Sequence, residues 1–110
     1  MSPRVLQLSL KRKPFAIMVS GEKTTEYRAI KPWMNSRLFD SKSGARRDYD
    51  CVTFTNGYGA TRPWFTAQFL HVTEEAVHTA PFSNGVSIHS DTPLYCIHLG
   101  SITDSGNINK

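Results

Sequence analysis

Cysteine is nearly absent from this sequence, which holds only Cys51 and Cys96. Each lies in an apolar, strand-like stretch, so buried free thiols are expected and a disulfide is not, in a reducing compartment. There is no C-x-x-C pair, and His71, His78, His89 and His98 are scattered, so no zinc, other metal or cofactor is expected. Long apolar runs are missing too, which excludes a bilayer-spanning helix. Met1-Ser2-Pro3-Arg4 lacks the apolar stretch of a secretory signal, so the chain is expected to stay in the cytoplasm. No repeat and no linker interrupts the 110 residues, which read as one domain around one core.

Acidic residues are scarce in the first half. Met1 to Asp50 carries eleven Lys/Arg against five Asp/Glu, a balance of +6, while Cys51 to Lys110 carries two against four, a balance of −2. The formal net charge of +4 hides that asymmetry. A polyanion is the natural partner of such a face, and RNA or a nucleotide is the expected one. Taken singly, Lys11, Arg12 and Lys42 read as solvated charges that promote solubility.

Alternation of Val5, Gln7 and Ser9 with Leu6, Leu8 and Leu10 predicts a strand. Lys13-Pro14 predicts a helix start, continued by Phe15 to Val19 and ended by Gly21 in a left-handed cap. Thr24 to Ile30, rich in β-branched and aromatic residues, predicts a second strand that Pro32 ends. Asn35 to Asp50 reads as a mobile loop with one turn around Arg37-Leu38-Phe39. Strands are expected at Asp50–Thr55, closed by Asn56-Gly57, and at Trp64–Val72. Thr73 is expected to cap a helical turn over Glu74, Glu75 and Ala76. Pro81 to Pro93 reads as loop with a brief strand at Val86–His89, before a last strand at Leu94–Leu99. Residues 1–100 form the domain and Ser101 to Lys110 a flexible tail. Five or six strands with one or two short helices predict a mainly β (α+β) fold, a closed or partly open small β-barrel.

The most informative segment is Gly21-Glu22-Lys23-Thr24-Thr25-Glu26-Tyr27-Arg28, which brings four charged side chains to a helix–strand junction. Glu26, Arg28 and Ile30 share one strand face, while Thr25, Tyr27 and Ala29 face the other way. Lys23, in the preceding turn, can lean toward the same mouth. Such a gathering predicts a polar site rather than core.

The spacing Gly21-x-Lys23-x-x-Glu26-x-Arg28, preceded by Leu8-x-Leu10-x-x-x-Pro14-x-x-x-x-Met18-x-x-Gly21, resembles the signature of the ASCH domain family. Phe54-x-Asn56-Gly57-Tyr58-Gly59 and the strand from Trp64 fit its order of elements, so the likeness spans roughly Val5 to Leu99. The resemblance implies a PUA-like β-barrel that binds RNA or modified bases. Some members of that family look like small amidohydrolases that remove an acyl group from a modified cytidine with lysine, threonine and glutamate. Lys23 matches the lysine, but Glu26 stands where those enzymes carry threonine, and Trp64–Val72 offers Gln68 and no carboxylate. Another branch cleaves RNA, a chemistry that Lys23 and a nearby tyrosine would suit.

Lys23 is therefore read as a phosphate ligand or general base, against a plain turn lysine. Glu26 and Arg28 read as an ion pair at an open mouth that can also meet a base edge, and Lys23 with Glu26 would be the catalytic pair of an enzyme. Trp33 and Tyr58 read as turn aromatics on which bases stack, with Trp33 as a cap on the core the alternative. Arg37, Arg46 and Arg47 are expected to track phosphates. Gln68 and His71 either face the site or point outward, and Trp64 and Phe69 read as core. The expected function is an RNA- or nucleotide-binding module. The alternatives are a ribonuclease or nucleoside amidohydrolase of the same fold, or an adaptor whose aromatics bind another protein. The size and architecture suit a phage or bacterial accessory protein.

Overall fold

A computed structural model of the chain describes residues 3–108. In the first strand, β1 (Val5–Ser9), the sequence alternation becomes alternate burial, with Leu6 and Leu8 inward. Helix α1 (Arg12–Val19) buries Phe15, Ile17 and Met18 and ends at Gly21, whose φ of 86° is the left-handed conformation expected of it. The chain then reverses into β2 (Thr25–Ala29) and α2 (Pro32–Leu38), followed by β3 (Cys51–Thr55), β4 (Trp64–His78) and β5 (His89–Gly106).

These five strands make one mixed sheet in the order β1-β3-β4-β5-β2, with β1 parallel to β3 and the other neighbours antiparallel. The class is mainly β, as expected. The closed barrel is not formed, because β1 and β2 are the two edges and no ladder joins them. A side chain spans the gap instead: Arg28 on β2 donates from Nη2 to the Ser9 carbonyl on β1 at 2.6 Å.

The core lies between the sheet and the two helices. Phe65 stacks on Phe54 with ring centroids 5.1 Å apart and meets the edge of Phe15 at 5.2 Å. Val52, Phe54 and Ile97 are wholly buried around them. Phe69 is half-buried and packs on this core, while Trp64 lies across Gly106, its cross-strand partner. Cys51 and Cys96 are free thiols. Among the described residues no helix is long and apolar enough to cross a membrane.

Four local expectations are corrected. Glu74 to Ala76 belong to β4 and are not a helical turn, because Glu74 and Glu75 pair with Tyr95 and Leu94 across the ladder. That pairing outweighs the local capping preference of Thr73. Residues Ser101 to Gly106, read as the start of a flexible tail, continue β5 and pair with Trp64 to Ala67 through bulges. Asn107 then donates from Nδ2 to the Arg62 carbonyl at 3.0 Å and Ile108 packs on the core, while 109–110 lie outside the described residues. Val86 to Ile88 form no strand of their own; they are the last residues of the β4–β5 loop.

The polar segment from Asn35 read as a mobile loop begins inside α2, whose Met34 and Leu38 are buried one turn apart. Tyr95 Oη donates to Asn35 Oδ1 and ties that helix to β5. The rest is a closed turn. Asp40 Oδ1 accepts from the Lys42 and Ser43 amides at 2.8 and 3.1 Å, and Phe39 bridges to Arg46.

Candidate functional site

Gly21 sets the site's geometry. Its left-handed turn lets the Lys23 amide donate to the Ile17 carbonyl at 3.0 Å, which folds the lysine back under α1. Lys23 Nζ then lies 3.2 Å from Glu26 Oε1 and 3.7 Å from Met18 Sδ, with its residue only 5% exposed. The other carboxylate oxygen, Glu26 Oε2, accepts from Arg28 Nε at 2.8 Å. The Tyr27 amide completes the shell on Oε1 at 3.2 Å. Lys23 and Glu26 are the two buried charged residues among those described.

This node differs from the open-mouth ion pair expected from sequence. Burial pushes the Lys23 ammonium below the ordinary lysine range; the Glu26 carboxylate opposes that shift, and the nearby Arg28 charge adds to it. In such surroundings removing one partner leaves an uncompensated charge, a loss of about 3–5 kcal/mol.

The node forms one wall of a cavity of about 690 Å³. Ser9, Leu10 and Lys11 line it from the end of β1, Pro14 from α1, Asn56 to Tyr58 from the β3–β4 turn, and Val86 to Ile88 from the β4–β5 loop. Asn56 Nδ2 donates to the Leu10 carbonyl at 2.9 Å and pins that turn to the end of β1. Tyr58 stands at the cavity with 97% of its surface exposed. A second hollow of about 530 Å³ lies behind Lys23, between the end of α1 and the bulged part of β5.

The β4–β5 loop is held over the cavity by residues far away in sequence. Glu22 accepts from the Ser83 amide at 2.8 Å and from Ser83 Oγ at 2.6 Å, and Asn84 Nδ2 donates to the Lys13 carbonyl at 2.9 Å. The two Ser83 bonds hold the Glu22 carboxyl below its ordinary value. Nothing in the sequence pattern pointed to this clasp or to Val86–Ile88 as lining. Asn56 was legible as a turn residue, though not as the tie to Leu10.

Of the nine candidate residues, the structure gathers Lys23, Glu26, Arg28 and Tyr58 at one cavity. The other five lie outside its lining. Trp33 sits in α2, half exposed, with the Arg37 guanidinium 4.4 Å from its ring centroid. Arg46 donates from Nη1 to the Val72 carbonyl at 2.8 Å, and Arg47 from Nε to the Ser36 carbonyl at 3.2 Å. The Arg46 guanidinium also lies over the Phe39 ring at 5.7 Å. Gln68 points outward, its amide oxygen accepting from the Ser101 amide at 3.1 Å. His71 is exposed and stacks on His98 at 4.4 Å.

Chemically, the cavity offers cations, one carboxylate and two tyrosines. Thr25 pairs with His98 on the neighbouring strand and is not among the lining residues, nor is Thr24. Neither threonine therefore lines this cavity with Lys23, although Thr24 lines the second hollow beside it. Among the described residues no three His, Cys, Asp or Glu side chains converge to hold a metal ion. No protein-family model, no curated protein and no solved structure matches this chain.

Proposed function

We propose that this chain is an RNA- or nucleotide-binding module of the ASCH, PUA-like type, acting in the cytoplasm. The observation that carries this reading is the buried Lys23–Glu26–Arg28 node set in the wall of a cavity with an exposed tyrosine. Burying the Lys23–Glu26 pair costs the fold desolvation, and apolar packing of similar volume often serves stability as well, so the pair favours a role at the cavity. Tyr58 supplies an open ring face for a base, and Lys11 adds a further cation at the rim. The PUA-like barrel enters here as a half-open version: Arg28 draws the sheet's two edges together where a barrel would have a ladder.

A second reading, an enzyme of the same fold, has one specific observation in its favour. Lys23 is a buried amine whose proton affinity is lowered beside a carboxylate, the setting in which a lysine acts as base or nucleophile. The two readings separate on turnover. Fluorescence anisotropy with single-stranded RNA should show binding that weakens steeply with salt, and oligonucleotide and acylated cytidine should both be recovered intact. Consumption of either substrate, abolished in Lys23→Ala, would establish the enzyme. Absence of binding at low salt to RNA and to every nucleotide would remove the binding reading.

A further inference from the structure

We infer that the ligand class is a nucleotide ending in a phosphomonoester, its phosphate on Arg28, Lys23 and Lys11 and its base against Tyr58. This rests on the nucleotide reading above and follows from which hydrogen-bonding groups at the cavity are already committed. Of the five N–H groups of Arg28, one reaches Glu26 and one the Ser9 carbonyl, which leaves three. Of the three on Lys23, one reaches Glu26 and one the Met18 sulfur, which leaves one. Glu26 is nearly saturated as an acceptor, with Lys23 and the Tyr27 amide on one oxygen and Arg28 on the other. The charged groups thus have donors to offer and almost no acceptor, so the complementary ligand group is an acceptor-rich anion rather than the amino edge of a base.

Charge favours a monoester over the diester of a continuing strand. Lys23 and Glu26 offset one another, so Arg28 and Lys11 leave a lining charge of +2. A phosphomonoester carries about −1.5 to −2 at neutral pH with three acceptor oxygens, whereas a backbone diester carries a single charge. Helix α1 also starts at this cavity, with Pro14 in the lining, no side-chain cap and no acid in its first turn. The positive end of its dipole adds to the same preference. The base is assigned to Tyr58 because that ring is the lining aromatic most open to solvent.

Calorimetric titration of the full chain tests this with four common nucleosides, their 5′- and 3′-monophosphates, ribose 5-phosphate and inorganic phosphate. A monophosphate should bind about tenfold or more tightly than its nucleoside, the size expected of charge-assisted hydrogen bonds. It should also bind more tightly than ribose 5-phosphate. Arg28→Lys keeps the charge but loses the fork, and should bring the monophosphate close to its nucleoside. Lys11→Gln, at an exposed position, should narrow the same ratio and decides the matter if Arg28→Lys does not fold. Lys42→Gln removes an equal charge away from the cavity and should leave the ratio unchanged. Tyr58→Ala should reduce the nucleotide to the affinity of ribose 5-phosphate.

Nucleosides binding as well as their monophosphates would overturn the phosphate assignment and leave nucleotide recognition standing. Binding of RNA strands but of no mononucleotide would do the same. Equal affinity for inorganic phosphate and nucleotide would overturn the base assignment. Only the failure of every nucleotide and every RNA removes the function itself.

Discussion

Two regions of this molecule are rich in cations and use them in opposite ways. In the segment from Lys23 to Arg28, two cations share one buried carboxylate and keep N–H groups turned toward a cavity. In the segment from Arg37 to Arg47, the guanidinium groups lie on aromatic rings or donate to carbonyls of their own fold. Formal charge does not distinguish these regions. What distinguishes them is placement: the first cations gather round one buried carboxylate in the wall of a cavity, and the second are spread over rings and carbonyls outside it.

The sharpest way to test the contrast is stability. Glu26→Ala strands Lys23 as a buried charge beside Arg28, so urea denaturation should show a loss of about 3–5 kcal/mol. Arg46→Gln and Arg47→Gln should each cost about 1 kcal/mol or less, the size of a partly exposed hydrogen bond. Equal losses in the two regions would erase the distinction.

The aromatics of the two regions should differ in ligand affinity. Tyr58→Ala should weaken nucleotide binding by about 1–3 kcal/mol without changing the melting temperature, because the ring is exposed. Trp33→Ala should leave nucleotide affinity unchanged, since that ring carries Arg37 and lies outside the cavity lining.

The turn that positions Lys23 comes next in size. At φ of 86°, Gly21→Val forces a β-branched residue into the left-handed region, and thermal unfolding should register about 1 kcal/mol or more. An unchanged melting temperature would mean that the turn can be made another way.

Much of the first region was legible in sequence because it is local. Helix α1 (Arg12–Val19), which starts two residues before Pro14, the left-handed Gly21 after it and the alternation on Thr25–Ala29 are set by neighbours within a few residues. Burial of Lys23 and Glu26 was not legible, since it depends on α1 folding over them. The clasp between Glu22 and Ser83 was hidden for a similar reason. It requires β4 and β5 to run far enough for their loop to return to α1, and local turn signals had ended β4 at Val72. The second region misled through composition: a polar, basic stretch read as a phosphate-tracking loop conceals the Met34–Leu38 stripe that packs α2.

The smallest effect expected is at that clasp. Two bonds from Ser83 hold the Glu22 carboxyl below its ordinary value, so its folded form favours the ionised state. The clasp is therefore complete above the unfolded glutamate value of about 4.3 and is lost as pH falls through the lower folded value. Protection of the Ser83 amide, measured against its intrinsic exchange rate, should fall on acidification through that window, and Glu22→Ala should remove it at neutral pH. Exchange that ignores both changes would show that the loop is held elsewhere.

The contrast between the two cationic regions can be read most directly from the amide spectrum during titration with a nucleoside monophosphate. Shifts should concentrate at Ser9–Lys11, Lys23, Glu26–Arg28, Asn56–Tyr58 and Val86–Ile88, residues that line the cavity. The segment from Arg37 to Arg47 should stay still. Shifts confined to Arg37–Arg47, or spread evenly over every exposed cation, would contradict the assignment of ligand binding to the Lys23–Glu26–Arg28 node.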